Sequence, residues 1–191
     1  PHPHLATFAD LLAIPEGERF HEVLDGELVR KEAASIRHGF SQSRSIEWLA
    51  RFNRQPNGPS RPGGWWIVNE VEIALATHQI VRPDVAGWRR SRLPQLPDVF
   101  PMELRPDWVC EIYTDGDGRR RDGLKKRRLY ADYGIPHYWL VDMERERFVV
   151  LRLEKQGYIE VLEADRSGHV RAEPFDAVEL SVGVLFGDDV D

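Results

Sequence analysis

Cysteine is almost absent. The 191 residues hold one, Cys110, which excludes an internal disulfide and any zinc site built on CxxC pairs. A reducing, cytoplasmic setting is the expectation that follows. No apolar run approaches the length of a membrane span, and the first residues lack a basic-then-apolar leader pattern, so no membrane association is expected. Short catalytic signatures are missing as well: there is no GxSxG elbow, no GxxxxGK[ST] phosphate loop and no HExxH helix. Nor is there an excess of positive charge. The balance of 26 basic against 32 acidic residues leaves −6, which argues against a wholly basic nucleic-acid binder but leaves room for a local basic patch.

What is present is an ordinary globular composition, 41% hydrophobic and 30% charged, in a chain whose length fits one domain over 1–191. No internal repeat occurs. "FHEVLDGELVRK" alternates around Asp25-Gly26, a favoured two-residue hairpin turn. "SIRHGFSQSRSIEWLARFN" follows as a helix, with Ser35 as N-cap and Ile36, Phe40, Ile46, Leu49 and Ala50 as its apolar stripe. Residues 55–64 read as a loop. "WWIVNEVEIAL" and "QIVRPDVAGW" read as two strands, and the proline-rich stretch 89–106 as an irregular crossing. "DWVCEIY" and "HYWLVD" are apolar on both faces, the pattern of central, covered strands, and a helix over roughly 119–133 lies between them. "RFVVLRLE" and "GYIEVLEA" form an antiparallel pair running to the C-terminal end. Strands with two intervening helices give an α/β or α+β layer fold.

Within this plan some acids are out of place. Asp84 sits between Val81, Val85 and Trp88, and Glu111 shares a strand face with Val109 and Tyr113. Glu22 alternates with Phe20 and Leu24 on the inner face of the first hairpin. Glu70 and Glu72, by contrast, read as solvent-facing. An isolated buried carboxylate is costly, so each inner acid requires a partner, either an arginine or a shared cation. For Asp84 and Glu111 on adjacent central strands a shared cation is the better account, and oxygen donors with waters suit Mg²⁺ or Mn²⁺. On the following helix Lys126 falls in line with Leu129, Tyr130 and Tyr133, one turn after Asp122, while Lys125, Arg127, Arg128 and Asp132 point elsewhere. Arg119, Arg120 and Arg121 precede it, and Arg89, Arg90 and Arg92 follow Asp84. Beside a carboxylate metal site such runs would hold a phosphate backbone.

In order, Pro83-Asp84, Glu111, Asp122, Lys126, Tyr130, Gly134 and Tyr138-Trp139-Leu140-Val141-Asp142 resemble the pattern of the Uma-type family of putative restriction endonucleases, a branch of the PD-(D/E)XK nuclease superfamily. The likeness runs from the "FHEVLDGEL" hairpin to the final strands. It implies a restriction-endonuclease-like core, a central mixed sheet flanked by helices with extra antiparallel strands. It further implies a Mg²⁺- or Mn²⁺-dependent endonuclease acting on DNA, with a homodimer among the assemblies it admits. Asp84 and Glu111 would hold the metal, with the Ile112 carbonyl and Glu22 completing the shell. Lys126 would orient or deprotonate the attacking water, and Arg89, Arg90, Arg119 and Arg120 would contact the nucleic acid. Two positions depart from the pattern. Tyr113 stands where the superfamily lysine usually follows the strand acid, and Thr114-Asp115-Gly116-Asp117-Gly118 replaces a Ser-Pro-Ser-Thr-like turn. The rival reading is a catalytically inactive nuclease-fold domain that binds DNA or protein. A calcium loop counted from Asp115 fails, because Lys126 would take the twelfth position, where a bidentate Glu is required. A two-carboxylate glycosidase would have no use for the basic helix or Lys126.

Overall fold

Asp25 and Gly26 both take left-handed backbone angles, φ 53° and 77°, which is what a two-residue hairpin turn needs. That turn joins β1 (His21–Leu24) to β2 (Glu27–Arg30), after a short helix α1 (Phe8–Leu12). The other elements are α2 (Ile36–Leu49), β3 (Trp65–Asn69), β4 (Ile73–Ala76), β5 (Gln79–Val81), β6 (Val85–Arg89), β7 (Trp108–Tyr113), α3 (Gly116–Asp132), β8 (His137–Asp142), β9 (Arg147–Glu154), β10 (Gly157–Asp165), β11 (His169–Val170) and β12 (Leu180–Ser181). A 3₁₀ turn over Val182–Phe186 follows β12. The structure, a computed structural model, describes residues 4–31, 33–55, 62–114 and 116–189, with backbone alone for 116–122. Part of the expected 55–64 loop therefore lies outside the described residues. Among the described residues no helix is long and apolar enough to cross a membrane.

Six strands form a mixed sheet in the order β10-β9-β8-β7-β6-β3, in which β7 and β8 run parallel and the other neighbours antiparallel. The parallel pair is joined through α3, the connection that parallel strands require. A second sheet, β2-β1-β5-β4, is wholly antiparallel. The fold is thus mixed α+β, with a central mixed sheet and added antiparallel strands.

The central sheet is covered on both faces, which explains the doubly apolar runs of β7 and β8. One face packs Trp108, Cys110 and Ile112 of β7 against Trp48 and Leu49 at the C-terminal end of α2, Phe52 just beyond it and Phe175 from the last segment. Trp108 meets Trp139 edge-on at 5.1 Å, and Trp139 meets Phe175 edge-on at 5.4 Å. The opposite face carries Ala86 and Val109, packed with Leu24, Ile73, Leu129, Tyr130 and Tyr138. Asp84 and Glu111 belong to this second face by strand alternation.

Three expectations about elements need correction. Each long apolar run around residues 65–88 is two strands: β3 and β6 belong to the central sheet, β4 and β5 to the smaller one. Alternation continues through the change of sheet, so the pattern shows no break. The buried stripe of α2 is His38, Ser41, Ser45, Trp48 and Leu49, while Ile36 and Phe40 are exposed. Polar and small residues occupy the inner face because its first turns border a charged cavity. Ser35 does cap the helix, accepting from His38 N at 3.2 Å. Finally, α3 starts at Gly116 rather than near 119, taking in part of the segment expected to be a turn.

Candidate active site

Asp84 is the last residue of a three-residue joint, Arg82-Pro83-Asp84, between β5 and β6, so it stands where the chain leaves one sheet for the other. The last ladder pair of β6 and β7 is Val85 with Cys110, which sets Asp84 and Glu111 across from each other one step beyond. The carboxylate of Asp84 accepts the N–H of Ile112 at 2.7 Å, capping the open end of the ladder. Tyr113 accepts from Met143 N on the β8 side, and backbone groups alternate along a strand, so the Ile112 carbonyl turns toward the edge that Asp84 occupies.

Glu111 is 3% exposed and is held from the helix side. Lys126 Nζ lies 3.0 Å from Glu111 Oε1 and 2.9 Å from Glu22 Oε1, and the Tyr130 hydroxyl donates to Glu111 Oε1 at 2.6 Å. Gly123 makes this reach available. A Cβ there would fall 2.8 Å from the Tyr113 hydroxyl, so only glycine lets α3 rest directly on that ring, with Lys126 one turn on. Tyr113 itself pairs with the Tyr138 hydroxyl at 2.9 Å and carries no charge to the acids.

Asp84 has a different set of partners. Lys31 Nζ donates to Asp84 Oδ1 at 2.8 Å, to the Arg82 carbonyl at 2.9 Å and to Glu70 at 3.2 Å. His38 Nε2 lies 3.0 Å from Asp84 Oδ2. Gln42 donates to the Asp84 carbonyl at 2.7 Å and to Glu70 at 3.2 Å, and Arg82 Nε lies 3.0 Å from Glu70. Glu70 and Glu72 are therefore not solvent-facing: both are partly buried, and Glu70, with φ 53°, turns into the cavity to meet Lys31. Lys31, His38, Gln42 and Glu70 are the site residues that sequence reasoning passed over. The hairpin face did hold a signal for Lys31, since it pairs across from Phe20 on the side that carries Glu22.

These contacts set the charges. Burial works to raise the carboxyl of Asp84, but the His38 hydrogen bond and the Lys31 charge outweigh it and hold the group below the usual carboxylate range. Burial, with the charges of Asp84 and Glu22 added, lifts Glu111 to about 7 against the pull of Lys126 and Lys31. Burial opposes the charge on Lys126, yet Glu111 and Glu22 together push it well above the ordinary lysine value. One ammonium serves two acids here, so it gains more from the arrangement than Glu111 does.

Asp84, Glu111, Glu22 and Lys126 line a cavity of about 400 Å³, shared with Lys31, His38 and Tyr113. Two carboxylates and a strand carbonyl form a hard oxygen set, which fits a divalent cation that keeps several waters, as Mg²⁺ does. Among the described residues a fuller protein cage is not formed. Glu22 Oε1 is turned to Lys126 and accepts Arg82 N at 2.6 Å, and among the described residues no three His, Cys, Asp or Glu side chains converge on one cation position.

The structure does not bring all the expected basic residues to this cavity. Arg89 and Arg90 sit at the far end of β6, about 17 Å of strand from Asp84. Arg89 stacks over Trp65 at 4.5 Å and Arg90 over Trp66 at 3.4 Å, while Arg92 pairs with Asp107. Arg119, Arg120 and Asp122 lie in the first turns of α3, and their side chains fall outside the described residues.

No curated protein sequence matches the chain. A crystal structure of a putative nuclease belonging to DUF820 from Anabaena variabilis superposes with a TM-score of 0.72, covering 94% of this chain and 97% of that one at 20% identity. That likeness establishes the fold. The sequence model of the Uma2 family, described as "Putative restriction endonuclease", matches residues 7–183, and the chain belongs to that family.

Proposed function

We propose that the protein is a metal-dependent endonuclease that hydrolyses DNA phosphodiester bonds, with Asp84, Glu111 and the Ile112 carbonyl as ligands for Mg²⁺ or Mn²⁺. The observation that carries this reading is the facing pair of buried carboxylates on one cavity, with the Lys126 ammonium beside Glu111. A bound divalent cation would supply Lewis-acid polarisation of the phosphate and a water of lowered pKa. The side chains do the remaining work. Lys31, His38 and the Ile112 N–H keep Asp84 ionised and fixed in one orientation. Lys126 stays protonated at neutral pH, so its part is to orient the attacking water and offset charge on the phosphate rather than to act as a base. The water oxygen bonds to phosphorus, one P–O ester bond breaks, the water gives up its proton to solvent, and the departing oxygen takes one from solvent.

One observation favours the rival reading. Asp84, Glu111 and Glu22 each already have a cationic partner within the protein, as a non-catalytic DNA- or protein-binding domain could also have. Cleavage of an end-labelled oligonucleotide with Mn²⁺ decides between them. We expect cleavage that disappears in Asp84→Ala; its absence at every metal concentration, with no metal bound, would leave the binding module.

A further inference from the structure

We propose that the substrate is single-stranded or locally unpaired DNA, one nucleotide of which enters the cavity with its base on Phe20 and its phosphate beside Lys31. This rests on the nuclease reading and narrows it.

The reacting groups lie at the bottom of a hole. Asp84 is 1% exposed and Glu111 3%, so a phosphate meets them only by coming down into the cavity. A volume of about 400 Å³ falls in the range that holds one small ligand. A nucleotide fits that space, whereas stacked base pairs carrying both strands do not. Enzymes that must reach an atom held in a duplex either take the nucleotide out or act on an unpaired strand.

The cavity wall is suited to a base. Phe20, 50% exposed, lines it together with Leu24, Val29, Ala33 and Ala34. Phe20 is thus a half-exposed aromatic residue on the same cavity as the charged groups, and stacking on an aromatic ring is indifferent to base identity. Phe20 is also in register with the charge. Lys31 N donates to the Phe20 carbonyl at 2.7 Å, continuing the β1–β2 ladder beyond His21 and Arg30, so the two residues stand across from each other on the hairpin. The Lys31 ammonium reaches Asp84 Oδ1 from that position. A base on the Phe20 ring thus has its own phosphate next to Lys31 and Asp84, and Arg30, exposed at the rim, adds a cation for the adjoining phosphate.

The test compares one labelled oligonucleotide free and annealed to its complement, with Mn²⁺, in the wild type, Phe20→Ala, Phe20→Trp and Phe20→Leu. The expected result is cleavage of the free strand at least about tenfold faster than of the duplex, a KM raised about tenfold in Phe20→Ala, and recovery in Phe20→Trp but not in Phe20→Leu. Equal or faster cleavage of the duplex, or full activity in Phe20→Leu, would overturn the proposal. Fluorescence anisotropy in Ca²⁺ separates it from the nuclease reading. A free strand bound through Phe20 yet never cleaved removes the nuclease reading and upholds the strand preference. Cleavage with no preference between strand and duplex does the reverse.

Discussion

Asp84 and Glu111 face each other across the open end of β6 and β7, and each holds a different lysine: Lys31 reaches Asp84 from the first hairpin, and Lys126 reaches Glu111 from α3. Two carboxylates set this close repel, and the two ammonium groups, one beside the first hairpin and one on α3, offset that repulsion when no metal is bound.

A divalent cation bound by this pair should stabilise the folded state. At a metal concentration about 100 times Kd, linkage amounts to about 2.7 kcal/mol. Thermal melts with Mn²⁺ or Mg²⁺ should therefore move upward in the wild type. An unchanged Tm at saturating metal, or the same rise in Asp84→Ala, would count against Asp84 as a ligand.

The raised carboxyl of Glu111 makes metal-free stability depend on pH. Its folded value of about 7 lies above the ordinary 4.5, so its contribution is complete below about 4.5 and is lost as pH rises through about 7. Full loss is of order 3 kcal/mol. In Glu111→Gln, where this titration is gone, the Tm difference from wild type should shift in the variant's favour between about pH 5 and about pH 8. A difference that stays flat over that range would mean that Glu111 titrates near its ordinary value.

How much of this was legible depends on whether a residue's partner lies on its own element. β7 and β8 could be read directly, because strands covered on both faces are apolar on both. Lys126 could be read from helical spacing, since Leu129, Tyr130 and the lysine share one face of α3. The change of sheet at Arg82-Pro83-Asp84 could not, because both halves of that run are buried and keep the same alternation. His38 was invisible for another reason: it looks like an ordinary surface residue in its own segment, and its meaning comes from Asp84, 46 positions away. Lys31 shares the inner hairpin face with Glu22, but the acid that gives it meaning, Asp84, lies 53 positions away. Glu70 misled for a local cause: its left-handed backbone turns it out of the β3 alternation and into the cavity.

The two arginine groups should behave differently toward DNA. Arg119 and Arg120 belong to the helix that carries Lys126, whereas Arg89 and Arg90 lie on tryptophans at the remote end of β6. For a single strand, each phosphate contact contributes about 0.7 to the slope of log K against log salt. Reversing Arg119 and Arg120 to Glu should therefore flatten that slope by about 1.4 and weaken binding without regard to sequence. Arg89→Ala and Arg90→Ala should leave the slope nearly unchanged. The opposite pattern in a salt titration would move the nucleic-acid surface to the β6 end.

Lys126 allows the strictest test, because two described acids pair with it. The ammonium lies between Glu22 and Glu111, 6% exposed, and those two acids are buried with it. Removing one partner of such a buried group leaves charge uncompensated, at a cost of about 3–5 kcal/mol. Lys126→Met should therefore lower stability by that order as well as abolish cleavage. Neutralising the acid should undo much of the damage, since Glu111→Gln removes the charge that the lysine had balanced. The double variant Lys126→Met with Glu111→Gln should then be more stable than Lys126→Met alone, with a coupling energy of about 1–3 kcal/mol in denaturant titrations. Lys125→Met, exposed one residue earlier, should change stability by less than about 0.5 kcal/mol. If the two single variants simply add, Lys126 is not paired with Glu111 in solution, and its part in orienting water beside that acid falls with the pairing.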